Sequence, residues 1–150
     1  MSKALIVYHT EFGNTEKIAK AMAEGIRTQG VDVDCLKTNE ANASKIGEYD
    51  LLALGGPTHA FGISKPVKDF LKQLENTNLS GKKAFAFDTK MKSRLAGSAA
   101  KGIEKKLQKL GMTIVTPHAS AIVKGREGPL EEGTEEAFKQ VGVSLAKSLQ

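Results

Sequence analysis

Residues 4–15 read ALIVYHTEFGNT, and a helical pattern begins directly behind them. Ala4 to Tyr8 is an unbroken apolar run, the mark of a strand covered on both faces, as strands of a parallel sheet are. His9 to Thr15 is a polar loop containing Gly13. Ile18, Met22 and Gly25/Ile26 then repeat at i, i+4 and i+7/8, the spacing of one helix face. A doubly buried strand feeding a short loop and an amphipathic helix is the repeating unit of α/β folds.

The same unit recurs outward from this stretch. Val31, Val33 and Cys35 alternate with Asp32 and Asp34, so the second strand has one wet face and belongs at a sheet edge. Leu51 to Leu54 and Ala84 to Phe87 are two further apolar runs. Ile114-Val115 and Ala121 to Val123 flank Pro117, which cannot donate to a ladder, and read as one last strand interrupted there. Helical stripes lie between and after: Val67, Phe70, Leu71 and Leu74 with Pro66 in the first turn, then Ile103, Leu107 and Leu110 ended by Gly111. Phe138, Val141, Leu145 and Leu149 close the chain. Ala43 to Gly47 is expected to form only a short helical connection. Strand and helix alternate five times, which predicts a single doubly wound α/β domain over residues 1–150, with helices on both faces of a parallel sheet.

Composition narrows the function. Of 150 residues, 40% are hydrophobic and 26% charged, ordinary for a chain with a packed core. Lys and Arg number 22 against 17 Asp and Glu, a formal +5 that invites a nucleic-acid reading. Aromatics at 5% and no Trp leave few rings for stacking on bases, so no nucleic-acid partner is expected. The single cysteine, Cys35, excludes an internal disulfide framework and a Cys-rich zinc site; beside it, a thiol on an edge strand reads as a small apolar filler. His9, His59 and His118 lack ligand spacing, so no metal site is expected. No apolar stretch approaches the roughly 20 residues that cross a bilayer, and no leader pattern opens the chain; the expected location is the cytoplasm.

Ligands of such folds bind beyond the carboxyl ends of the strands. After the first strand, Thr10, Asn14 and Thr15 offer side-chain donors, the helix start offers free amides and a positive dipole end, and Gly13 permits a tight turn. The loop is either a phosphate cradle without a cation or simply a helix capped by Asn14 or Thr15. It matches neither the P-loop nor the Gly-x-Gly-x-x-Gly fingerprint. After the third strand, Gly55-Gly56-Pro57-Thr58-His59-Ala60-Phe61-Gly62 is stiff and presents two rings. It suits a planar heterocycle, or it is a tight connection in which Phe61 packs on the core. The hydrolase elbow Gly-x-Ser-x-Gly is missing, and no catalytic side chains are assigned.

Taken together, Thr10-Glu11-Phe12-Gly13-Asn14-Thr15 resembles the flavodoxin phosphate loop, Ser/Thr-x-Thr-Gly-Asn-Thr. Residues 55–62 resemble the flavodoxin loop Gly-x-Pro-Thr-aromatic-x-x-Gly. The resemblance runs over the whole chain and is to the short-chain form. It implies a flavodoxin-like five-stranded parallel sheet of order 2-1-3-4-5, FMN as cofactor, and electron transfer between redox protein partners. By position, Thr10, Asn14 and Thr15 with the amides from Glu11, Phe12 and Gly13 onward would hold the phosphate. Pro57, Thr58, His59, Ala60, Phe61 and Gly62 would border the isoalloxazine ring.

Three departures from the family pattern matter. His59 stands where Trp is common, and Ala60 where Gly eases a redox-linked peptide flip. Weaker FMN binding and less one-electron-reduced flavin are expected in consequence. The loop after the fourth strand lacks the usual Tyr. Asp88, Thr89 and Lys90 are the candidates for the ring edge, and Met91 for an apolar lid. Other readings are an FMN-dependent NAD(P)H:quinone-type reductase, or a binding module that has lost the flavin. The charge is also local: nine of the basic residues lie between Lys82 and Lys109 against only Asp88 and Glu104. Lys90, Lys92 and Arg94 fall at the expected flavin edge, so the partner is expected to present an acidic docking surface.

Overall fold

The computed structural model describes residues 2–60 and 62–150; Phe61 and the side chain of Arg94 lie outside the described residues. The first strand, β1 (Lys3–Tyr8), leads into α1 (Asn14–Arg27) and then β2 (Asp32–Lys37). A turn of 3-10 helix, Ala43–Glu48, replaces a full helix before β3 (Leu51–His59). Next come β4 (Gly62–Ile63), α2 (Lys65–Leu74), β5 (Lys83–Met91) and α3 (Ala99–Lys109). The chain closes with β6 (Thr113–Ile114), β7 (Ala119–Val123) and α4 (Thr134–Lys147).

The sheet runs β2-β1-β3-β5, with β6 and β7 both parallel to β5. Residues 115–118 separate β6 from β7 around Pro117, so the two form the interrupted fifth member, and the order 2-1-3-4-5 is that of the five principal strands. β2 is the edge strand, its Asp32 and Lys37 exposed and Val33 buried.

Alternation along each inner strand builds two cores. Leu5 and Val7, Leu52 and Leu54, and Ala84 and Ala86 face α2 and α3. Ala4 and Ile6, Leu51 and Ala53, and Phe85 and Phe87 face α1 and α4, the two Phe rings stacked 6.3 Å apart. On that second face α1 crosses α4 at glycines: a Cβ on Gly25 would run into the Lys139 carbonyl, and one on Gly142 into the Met22 carbonyl.

Two strands are longer than their apolar runs. β3 continues through Gly55, Gly56, Pro57 and Thr58 to His59, and β5 through Asp88, Thr89 and Lys90 to Met91, in register as Gly55↔Phe87, Gly56↔Asp88 and Pro57↔Thr89. Residues 55–59 and 88–91 are therefore strand ends, not loops. Gly55 is there because a Cβ would overlap the Phe87 ring, and Gly56 because one would press on Val67. Pro57 fits because β1 ends opposite Gly55, and alternation turns the proline's missing N–H to that vacated side. The two-residue β4 returns antiparallel on Thr58 and His59. No helix among the described residues is long and apolar enough to cross a membrane.

Candidate functional site

The carboxyl ends of β1, β3, β5 and β7 open into one cleft of about 340 Å³. From the first loop and α1 it is lined by Thr10, Glu11, Phe12, Asn14 and Thr15; from the end of β3 by Pro57, Thr58, His59 and Ala60; from the end of β5 by Thr89, Lys90 and Met91. Gly13, Gly62 and Asp88 are not among the lining residues, and Phe61 lies outside the described residues. Val123 and Arg126 complete the wall from the fourth side; neither had been expected from the sequence.

The first wall is an uncapped helix start. Gly13 occupies the N-cap position at φ 91 and has no side chain to cap with, so neither Asn14 nor Thr15 serves as the cap. The first amides of α1 have no acceptor inside the helix, and the dipole's positive end faces the cleft. Thr10 Oγ1 accepts from the Gly13 amide at 3.0 Å and holds the loop in its turn. Buried Thr15 shares a 3.0 Å hydroxyl contact with Thr89 Oγ1, which joins α1 to β5 across the floor. Asn14 Nδ2 donates to the Glu127 carbonyl at 3.1 Å, tying α1 to the loop after β7. Gly128 in that loop, at φ 106, leaves the space Asn14 needs: a Cβ there would lie 2.8 Å from Asn14 Oδ1.

The second wall is braced from behind. Asp88 is fully buried, and its Oδ2 accepts from Ser98 Oγ at 2.8 Å, the Ala100 amide at 2.9 Å and Thr58 Oγ1 at 3.3 Å. Thr58 Oγ1 in turn accepts from the Ala99 amide at 3.1 Å. These bonds lock β3, β5 and the start of α3 together, and they place Asp88 under the cleft wall. Its other oxygen, Oδ1, is buried and has no hydrogen-bond partner. Past His59 the strand ends, and Ala60 adopts φ 45, the one described non-glycine residue with positive φ.

Charge at the mouth centres on Glu11. Its Oε2 lies 2.6 Å from His59 Nε2 and its Oε1 3.7 Å from Arg126 Nη2, while the Arg126 guanidinium stands over the Phe12 ring. One carboxylate therefore ties the loop of β1 to those of β3 and β7. Neighbouring His9 is held below the ordinary imidazole range, chiefly by desolvation and then by the charge of His59, with Glu11 opposing.

The other candidate groups lie elsewhere. Burial pushes the Cys35 thiol up to about 11, so it is a poor nucleophile. The His118 amide donates to Glu104 Oε2 at 2.8 Å; its buried Nδ1 lies 3.4 Å from Glu104 Oε1 without hydrogen-bond alignment. Arg126 carried one weak signal in the sequence, its place in the glycine-flanked run Gly125-Arg126-Glu127-Gly128 beyond the last apolar run.

Chemically, the cleft combines an anion site at one end with a slot between two strand ends at the other. Amides, hydroxyls and a helix dipole suit a phosphate monoester. His59 and Met91 at the slot suit the faces of a flat ring. An uncapped α1 sharing its cleft with that slot fits a phosphorylated planar cofactor such as FMN.

The family model for flavodoxin matches residues 6–140. A flavodoxin of Maridesulfovibrio salexigens is 32% identical over 120 residues, 77% of this chain and 82% of that protein. A probable flavodoxin 1 of Bacillus subtilis is 33% identical over 88 residues, 58% of this chain and 56% of that protein. Among solved structures, oxidised flavodoxin 1 of Bacillus cereus superimposes with a TM-score of 0.87 at 26% identity, covering 99% of this chain and 100% of that one.

Proposed function

The chain belongs to the flavodoxin family, whose members bind FMN, and from that premise we propose that it holds FMN in this cleft and carries electrons between redox proteins in the cytoplasm. The uncapped start of α1, opening into the same cleft as His59, Ala60 and Met91, is the observation that carries the reading.

When bound, FMN supplies a ring that takes up and returns electrons at the protein surface. The amides of Glu11, Phe12, Asn14 and Thr15 would hold its phosphate, helped by the hydroxyls of Thr10 and Thr15, while the Gly13 amide stays on Thr10 Oγ1. The α1 dipole would balance the anion's charge at the helix start, where Arg126 stands near but shares its charge with Glu11. Pro57 to Ala60 would border one side of the ring and Thr89 to Met91 the other. The brace at Asp88 keeps those two strand ends at a fixed separation, so the slot is formed before the cofactor enters.

Titrating FMN and riboflavin with the purified chain, and following flavin fluorescence, tests the reading. Quenching by FMN at a concentration at least tenfold below that needed for riboflavin is expected, since riboflavin lacks the phosphate. Absence of quenching by either would overturn it. Turnover of NAD(P)H with a quinone by the chain alone would replace the carrier by a reductase.

A further inference from the structure

Three large apolar side chains stand exposed among the described residues: Leu95 at 80%, Met91 at 46% and Phe12 at 42%. All three lie at the carboxyl end of the sheet, and two of them line the cleft. Leu95 sits in a turn of 3-10 helix, Arg94–Ala96, between the end of β5 and the start of α3. Scattered single apolar residues are normal on a surface; this grouping beside one opening is not scattered.

The charges around it are one-sided: between Lys82 and Lys109 nine basic residues stand against two acids. Lys3, Lys20, Lys65 and Lys139 each meet a carboxylate: Asp34, Glu16, Asp69 and Glu24. Lys90, Lys92, Lys101 and Lys105 meet none among the described residues; Lys17, Lys45, Lys68 and Lys124 elsewhere also meet none, so the excess of cations over acids is what marks this stretch. The two acids of that stretch are both occupied. Asp88 is buried under Ser98 and Ala100, and Glu104 receives the His118 amide. Exposed Lys92 follows directly on β5, and exposed Lys101 and Lys105 climb the first two turns of α3.

We propose that this lip is a docking surface for an acidic protein, with Met91 and Leu95 as its apolar centre and Lys92, Lys101 and Lys105 as its cationic rim. The proposal rests on the FMN electron-carrier reading and names the partner's chemistry. An apolar centre within a polar, charged rim is the anatomy of a protein interface, and unneutralised cations there steer a partner of opposite sign. A nucleic acid fits less well, because its backbone would meet aliphatic side chains at the centre, and the one exposed ring of the grouping, Phe12, already lies under the Arg126 guanidinium.

In the exchange tested, two ferric haems each take one electron and become ferrous. The fully reduced flavin gives up two electrons, one to each haem, and the one or two protons it carried, according to whether it is the anionic or the neutral form, pass to water. The FMN-loaded chain, reduced with stoichiometric dithionite, is mixed in a stopped-flow instrument with the acidic haem domain of ferric cytochrome b5 or with basic ferric cytochrome c. With the acidic probe the rate should fall about tenfold as salt rises from about 20 to about 300 mM, and with the basic probe it should rise. K92E/K101E/K105E should slow the acidic probe about tenfold at low salt and reverse its salt dependence, with circular dichroism and FMN quenching unchanged. Leu95→Ser should slow it at high salt as well.

The two readings fail separately. If the wild-type chain does not quench FMN fluorescence, the carrier reading is lost. If FMN binds but the acidic probe shows no salt dependence, or the triple variant reacts like wild type, the docking surface is lost while the carrier reading stands. Retention on a single-stranded oligonucleotide at about 150 mM salt, abolished in the triple variant, would also overturn the protein partner.

Discussion

His59 Nε2 and Glu11 Oε2 lie 2.6 Å apart, so the end of β3 is fastened to the loop that opens α1. Both side chains keep about a third or more of their surface in water, and such a pair contributes less than about 1 kcal/mol to stability. Its larger consequence is for the anion site. Glu11 puts a negative charge on the loop whose amides face the cleft, and it also occupies Arg126. Glu11→Gln should therefore tighten FMN about threefold to fivefold at low salt, about 1 kcal/mol of like-charge repulsion near a surface. Riboflavin, without phosphate, should change less. The ratio of the two affinities, from fluorescence quenching, is the check; an unchanged ratio would place Glu11 away from the phosphate.

The left-handed conformation of Ala60 leads to a second prediction. A Cβ at positive φ costs roughly 1–2 kcal/mol, and Ala60→Gly removes it. Glycine also loosens the unfolded chain by about 0.4–1 kcal/mol. Ala60→Gly should thus be neutral or stabilising by up to about 1.6 kcal/mol in urea unfolding, whereas a β-branched Ala60→Val should destabilise by about 1–2 kcal/mol. Equal midpoints for both variants would mean that Ala60 is not held at φ 45.

How much of this was readable in advance depended on what each residue was doing. The β1 run and the stripes of α1, α2 and α3 were legible because their side chains face the cores, and burial imposes the periods of strand and helix. The ends of β3 and β5 were not. Gly55, Gly56 and Pro57 carry turn composition, yet the glycines serve the packing of Phe87 and Val67 from other elements. Asp88 looked like a ligand-facing loop acid for the same reason: its partners Ser98 and Ala100 are fixed by strand extension, which short-range pattern does not encode. Arg126 comes to Glu11 from over a hundred residues away through the last crossover, and only the assembled sheet brings them together.

The crossing of α1 and α4 gives a sharp stability contrast. Gly142→Ala would drive a Cβ into the Met22 backbone carbonyl, and neither helix can retreat without opening the core beneath Ile18 and Leu145. A cost of about 1–3 kcal/mol is expected from overpacking. Gly47, with open space around it and no positive φ, is the control: Gly47→Ala should stay within about 0.5 kcal/mol. Equal midpoints for the two would show that the helices can separate freely.

His9 supplies a pH dependence whose sign is fixed by its environment. Its folded pKa is below the ordinary 6.5, so between the folded value and 6.5 the unfolded chain binds more protons than the native one. Stability therefore rises with pH through that window. The contribution is complete above 6.5, is lost as pH falls toward the folded value, and is flat below it. Urea unfolding at about pH 7.5 and about pH 5.5 should show a loss on acidification that His9→Asn reduces. The same loss in that variant would assign the dependence to another group.

Asp88 is the position where a single atom holds the most structure. Three donors converge on its Oδ2, from Thr58 in β3 and from Ser98 and Ala100 at the start of α3, and the carboxylate also faces the positive end of that helix. Asp88→Ala leaves the buried Ala100 amide and two part-buried hydroxyls, those of Thr58 and Ser98, without their acceptor. The cost of stranding a buried donor is about 1–3 kcal/mol, and the two part-buried hydroxyls add less, so a loss of about 2–4 kcal/mol is expected. Asp88→Asn keeps an acceptor oxygen but adds an NH2 on the Oδ1 side, where no partner waits, and should lose about 1–2 kcal/mol. Because the brace sets the separation of the β3 and β5 ends, Asp88→Asn should also weaken riboflavin and FMN by similar factors, the slot being disturbed and the anion site spared. Urea unfolding and the two quenching titrations read these effects independently. A variant that binds riboflavin normally while losing FMN would place Asp88 in the phosphate site instead of under the ring.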